Sequence, residues 1–157
     1  MTTLAISGHR GLPTETTNLV DQALRAALVQ HTPLVGISCL ADGADQLFAQ
    51  AVVDAGGDLI VIVPAAEYRQ DLPAECHPSY DRLLAKASKV VRLNHTHSDT
   101  QAHMDAGAAM LDLSEHLLAV WDGKPARGYG GTADVVKLAQ TRGIPVTVIW
   151  PNGATRD

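Results

Sequence analysis

Three short segments of this sequence combine glycine with residue types that hold anions. Residues 7–11 read SGHRG; the glycines allow close backbone approach, and Arg10 supplies a planar donor for a phosphate or a carboxylate. Residues 38–45 read SCLADGAD and lead into a helical pattern, whose first N–H groups attract negative charge. Residues 128–132 read GYGGT, and glycines and a threonine at a helix start can cradle a phosphate.

Polar side chains in and beside these loops are candidates for the remaining ligand contacts. Asp42 either caps the following helix, which we expect, or accepts hydrogen bonds from ribose, while Asp45 is expected to contact the ligand. Asp122 either orients a ribose hydroxyl or starts a turn. His9 either stacks on a base or shuttles a proton, or it is simply part of the loop. The predicted ligand-binding residues are Gly8, His9, Arg10, Ser38, Asp42, Gly43, Asp45, Asp122, Gly130, Gly131 and Thr132.

Several common sites are not predicted. The dinucleotide motif GxGxxG, the phosphate-loop motif GxxxxGK[ST] and the nucleophile elbow GxSxG are all absent from the sequence. His95 and His97 fall in a predicted loop and are expected to be solvated. We therefore expect no metal and no resident cofactor.

The elements that must position the three loops follow from hydrophobic periodicity. Short apolar runs alternate with longer stretches of helical period, which is typical of a parallel sheet covered by helices. Strands are predicted at 4–7, 34–38, 59–63, 90–93, 117–121 and 146–149, and helices at 14–30, 44–54, 79–87, 100–113 and 132–141. Residues 64–78 are predicted to form either a lid or an irregular loop. The fold class is thus α/β, a Rossmann-like three-layer sandwich with a mostly parallel sheet of about six strands.

Composition limits the range of functions. The 157 residues fit one domain, predicted at 1–151 with a tail at 152–157. A formal net charge of −5 argues against duplex nucleic acid and anionic membranes as partners. Two lone cysteines and the lack of a long apolar run favour a cytoplasmic protein.

The three loops together resemble the SLOG superfamily, which includes the DprA and Lonely Guy (LOG) proteins. Residues 38–45 are similar to the SGLARGID element of DprA, and residues 130–132 are similar to the end of the LOG motif PGGxGTxxE. The resemblance covers about residues 4–149. It implies a Rossmann-like domain that binds a nucleotide-derived small molecule, often as a homodimer.

Three functional classes are consistent with these residues. The first is binding or sensing of a nucleotide-like ligand, which we favour because Val135 stands at the position of the LOG catalytic glutamate. The second, implied by the LOG resemblance, is hydrolysis of the N-glycosidic bond of a nucleoside monophosphate, for which Asp134 or Glu67 would serve as acid or base. The third is a protein-interaction module without a ligand, in which the small-residue helix at 100–113 forms a dimer face.

Overall fold

Six parallel strands form one sheet at the centre of the fold. The computed structural model describes residues 2–31 and 33–156. Every strand pairing is parallel, so the carboxyl ends of all six strands lie at one edge of the sheet. The predicted fold class is therefore confirmed. The strands are β1 (Thr2–Gly8), β2 (Leu34–Ser38), β3 (Asp58–Val63), β4 (Lys89–Arg92), β5 (His116–Val120) and β6 (Val146–Val148).

Helices connect successive strands and cover both faces of the sheet. The helices are α1 (Thr14–Leu28), α2 (Ala44–Asp54), α3 (Tyr68–Asp71), α4 (His77–Ala85), α5 (Thr100–Leu113) and α6 (Thr132–Thr141), with a 3₁₀ turn at Ala74–Cys76. Leu4 and Ile6 of β1 face α1 and α2, whereas Ala5 faces the side that carries α5 and α6. This alternation follows from the two-residue period of a strand.

The strand order β4-β3-β2-β1-β5-β6 fixes where a ligand would bind. From β1 the chain moves outward to β4, and it then returns to β5 on the other side of β1. The connections that leave β1 and β5 therefore diverge, and they open a crevice above the carboxyl ends of these strands. The loops that follow β1 and β5 are two of the three anion-binding candidates.

Two segments are more ordered than the sequence indicated. Residues 64–78 contain α3 and the 3₁₀ turn, and they are tied to the next loop by hydrogen bonds from the Ala66 amide to His95 O and from the Glu67 amide to Thr96 O. The predicted tail folds back onto α1 through Thr155. Met1, Thr32 and Asp157, which belong to the predicted domain and tail, lie outside the described residues.

The apolar face of α5 belongs to the interior of the protomer. Ala102, Ala106, Met110 and Leu111 are buried, and α5 packs against α6 and the sheet. The small-residue stripe that the interaction hypothesis assigned to a dimer face is thus part of this chain's own core. The homodimer itself stays a prediction.

Candidate functional site

The three candidate loops converge on one cleft at the carboxyl edge of the sheet. Its volume is about 590 Å³, which lies in the range of small-molecule sites. Residues 6–11 and 127–132 line the cleft together with Ala41, Asp42 and Asp45, and the buried Asp45 lies at its floor. The topological crevice and the glycine-bearing loops therefore coincide.

Arg10 is held in position by Asp42. The Nε atom of Arg10 donates to Oδ1 of Asp42 at 2.8 Å, and the amide of Gly11 donates to Oδ2 at 3.0 Å. Asp42 thus binds the loop after β1 and does not cap α2, which begins after Gly43 without a side-chain cap. The Arg10 side chain is 48% exposed. No protein acceptor is recorded for its Nη1 and Nη2 atoms among residues 2–31 and 33–156, so both can serve a ligand.

Asp45 lies at the floor of the cleft and is almost fully buried. Its Oδ2 atom accepts a 3.3 Å hydrogen bond from the Ala41 amide. Burial raises the pKa of Asp45 to about 7, although the Ala41 amide and the charge of Arg10 act in the opposite direction. The carboxyl therefore changes charge near neutrality, and it can either donate or accept a hydrogen bond inside the cleft.

His9 is buried, and its lowered pKa favours the neutral ring. Its Nε2 atom accepts a 3.0 Å hydrogen bond from the Asp122 amide and lies 3.2 Å from Oδ1 of the same residue. Burial, assisted by the charge of Arg156, lowers the pKa of His9 despite the opposing effect of the Asp122 carboxylate. The neutral ring agrees with the amide contact, which needs a bare Nε2 and places the proton on Nδ1. The ring also meets Trp150 edge-on at 5.6 Å between centroids, so His9 anchors the loop after β1.

The loop before α6 is braced by Asp134. Its Oδ2 atom accepts a 2.9 Å hydrogen bond from the Gly130 amide, which fixes the turn that opens the helix. Gly130 has φ of +87°, and a Cβ at this position would lie 2.9 Å from Thr100 O, so a larger residue does not fit. Thr132 is buried at the first turn of α6 and lines the cleft. The Asp134 amide donates to Gly131 O at 3.1 Å, whereas the amides of Thr132 and Ala133 bind no acceptor among residues 2–31 and 33–156 and are available to an anion.

The remaining predicted residues lie around the cleft. Gly8, Gly131 and Thr132 line it, whereas Ser38, Gly43, Asp122, Asp134 and Glu67 do not. Ser38 is fully buried; its hydroxyl donates to Asp45 O and accepts from the Leu40 amide. Glu67 contacts His97, with Oε2 at 3.1 Å from Nδ1.

Several residues that line the cleft were not among the predicted site residues, among them Tyr68, His103, Arg127 and Arg156. Tyr68 is buried beside Asp45 and meets His103 edge-on, with ring centroids 6.0 Å apart. Arg127 and Arg156 bring two more cations to the cleft. The position of Arg127 directly before the GYGGT loop was a usable signal, but Tyr68 and Arg156 come from segments with no motif.

Two further kinds of feature are lacking within residues 2–31 and 33–156. None of the helices there is long and apolar enough to cross a membrane. In the same residues, no three His, Cys, Asp or Glu side chains are grouped so that they could hold a metal ion.

Comparison with known proteins identifies solved structures that share this fold. No protein-family model and no curated protein matches the sequence. Among solved structures, DprA from Streptococcus pneumoniae is 16% identical, with a TM-score of 0.72 over 98% of this chain and 52% of its own. DprA from Helicobacter pylori is 16% identical, with a TM-score of 0.72 over 98% of this chain and 68% of its own. The chain thus spans about half the length of the pneumococcal protein.

A further solved structure with the same fold has a different reported role. The Moco carrier protein from Chlamydomonas reinhardtii is 16% identical, with a TM-score of 0.58 over 94% of this chain and 75% of its own. At such identities the likeness shows the fold alone. The predicted resemblance to DprA is confirmed as a likeness of fold.

Proposed function

We propose that this chain binds a nucleotide or nucleotide-derived small molecule in the cleft above β1, β2 and β5. The observation that carries the proposal is the convergence of the three glycine-bearing loops on one cleft that also contains Arg10, Arg127 and Arg156. Arg10 and the amides at the start of α6 would bind phosphate, since both are suited to anionic oxygens. Asp45 would contact the sugar from the floor.

A small molecule fits this site better than a nucleic-acid strand. The Helicobacter DprA binds single-stranded DNA and the Chlamydomonas protein carries Moco, so the fold alone does not decide the ligand. Strand-binding proteins use extended basic grooves with exposed aromatic rings. The exposed Tyr129 lines this cleft, but the cleft is bounded by loops on two sides and Asp42 offsets part of the Arg10 charge. The chain also has a net charge of −5.

A ligand screen is the direct test. Thermal unfolding of the purified protein would be followed with nucleoside mono-, di- and triphosphates, NAD, ADP-ribose and cyclic nucleotides. A ligand that binds only the folded state at 100 times its Kd adds about 2.7 kcal/mol to the free energy of unfolding, so Tm should rise by several degrees. No shift with any of these compounds would contradict the proposal.

Replacement of Arg10 by glutamine tests the location of the site. The change removes a charge-assisted contact to phosphate, so the affinity for the ligand found in the screen should fall by about tenfold or more. Calorimetric titration measures the Kd. Arg142→Gln is the matched control, because Arg142 pairs with Asp112 and does not line the cleft. If both variants bind like the wild type, the anion lies elsewhere.

Hydrolysis remains the alternative proposal because Asp45 has a pKa of about 7, which is favourable for a general acid. Asp134 and Glu67, the predicted catalytic residues, bind Gly130 and His97 in the structure. Chromatography of the screening mixtures separates the two functions. Free base would indicate an N-glycosidic hydrolase, whereas a Tm shift without product indicates a binding protein.

A further inference from the structure

The segment that follows β6 returns to the cleft and is fastened there. The Ile149 amide donates to Ala119 O at 2.7 Å. Thr16 and Thr155 then form a reciprocal pair: the Thr155 amide donates to Oγ1 of Thr16, and this hydroxyl donates to Thr155 O, both at 2.9 Å. Because Thr16 is buried in α1, the pair fixes the backbone next to Arg156.

Arg156 lines the cleft, and its charge is only weakly neutralised. Its side chain is 19% exposed, and its recorded carboxylate neighbour among the described residues is Asp122, with Nη1 3.9 Å from Oδ2. That distance exceeds the 2.7–2.9 Å typical of a charge-assisted hydrogen bond. Burial and the nearby charge of Arg127 both lower the pKa of Arg156, and the Asp122 carboxylate opposes them.

The cations of the cleft form two groups on different sides. Arg10 binds Asp42, which follows β2, whereas Arg156 lies near Asp122, which follows β5. Because β2 and β5 lie on opposite sides of β1, the two arginines are held at different sides of the cleft. Arg127 belongs with Arg156, since both charges lower the pKa of His9 after burial has done so. One phosphate cannot contact both groups equally well, whereas a diphosphate offers an anionic oxygen to each.

We infer that Arg156 is a second anion-binding residue and that the cleft takes a ligand with two linked phosphates, a nucleoside diphosphate moiety. The inference rests on the proposed function and deepens it. Arg10 and the α6 amides hold one phosphate, and Arg156, fastened by the Thr16–Thr155 pair, holds the other. The chain segment after β6 is then part of the binding site.

The experiment compares mono- and diphosphates on matched variants. Calorimetric titrations at constant ionic strength would use AMP, ADP, GMP, GDP, CMP, CDP, UMP and UDP with the wild type, Arg156→Gln and Arg142→Gln. The wild type should bind the diphosphate of its preferred nucleoside at least about tenfold tighter than the monophosphate. Arg156→Gln should bring that ratio close to one and leave the monophosphate affinity within about threefold, whereas Arg142→Gln should leave both unchanged.

A second variant tests whether the Thr16–Thr155 hydrogen bonds hold Arg156 in position. Thr16→Val keeps the size of the side chain and removes both hydrogen bonds, so diphosphate affinity should fall by several fold while that for the monophosphate holds. If the wild type prefers the monophosphate, or if Arg156→Gln leaves the ratio unchanged, the inference fails and the proposed function survives. If the wild type binds none of the eight nucleotides, the inference fails, and the proposed function fails with it only if the wider ligand screen also shows no shift.

Discussion

Replacing Gly8 with alanine is expected to lower the free energy of unfolding by about 3 kcal/mol, the upper end of the usual cost of overpacking a core. Gly8 ends β1, where α2 begins directly above the strand. A Cβ at this position would overlap Cβ of Ala44 and lie 2.9 Å from Cβ of Val120. Neither carbon can rotate away, because each is attached directly to the main chain. The start of α2 would have to move off the sheet.

Denaturant unfolding monitored by circular dichroism measures this loss, and Gly128→Ala is the control. Gly128 lies in the loop before α6 with nothing within 4 Å of an added Cβ, and its φ is outside the left-handed region. A surface change of this kind usually stays within about 0.5 kcal/mol of the wild type. If Gly8→Ala also stayed within that margin, the close contact between β1 and α2 would not exist in solution.

Most of the fold was predictable because the strands and the longer helices each show their own hydrophobic period in the sequence. The paired apolar residues of α1 and the β-branched run of β3 differ in period, and the alternation of such segments indicates a parallel sheet. Boundaries moved by at most a few residues: α1 is predicted to end at residue 30 and ends at Leu28. Residues 64–78 lack a clear period, and α3 at their centre has only four residues, too short for a pattern to appear.

The cleft was predictable in its location and less so in its contacts. Glycines that follow predicted strands identify the loops, because the carboxyl ends of parallel strands share an edge. The partner of a side chain depends instead on elements distant in sequence. Asp42 lies two residues before the start of α2 at Ala44, a position from which a cap is expected, yet it binds Arg10, which is 32 residues away. No local pattern could assign that partner.

Arg156 is the clearest example of a site residue that no local sequence pattern could predict. It lies in a short polar tail, and it reaches the cleft only because Thr155 pairs with Thr16, which is 139 residues away. Only the three-dimensional arrangement reveals such a residue. The sequence predicted one arginine at the site, and three arginines line the cleft in the structure.

Asp45→Asn is expected to make the protein more stable at pH 8 and to leave its stability at pH 4 nearly unchanged. The carboxyl has a pKa of about 7 when folded, against an ordinary value of 3.8. Between these values the folded state retains a proton that the unfolded chain has released. The free energy of unfolding of the wild type therefore falls as pH rises through this window, by at most about 1.4 kcal/mol per pH unit and on the order of 4 kcal/mol in total.

Asparagine has no proton to lose, and its amide oxygen can still accept the hydrogen bond from the Ala41 amide. Urea unfolding of both proteins at pH 4, 6 and 8 gives the difference between their free energies of unfolding. The contributions of the other titrating groups largely cancel in this difference. An equal free-energy gap at all three values would mean that Asp45 titrates normally.

If the difference in free energy of unfolding between the two proteins grows with pH, the Kd for the ligand shows next what the carboxyl does. It distinguishes a carboxyl that only supports the fold from one that also contacts the ligand. A residue that serves only the fold gives a stabler variant with unchanged Kd, whereas one that contacts the sugar gives a stabler variant that binds more weakly. The proposed function requires the second result.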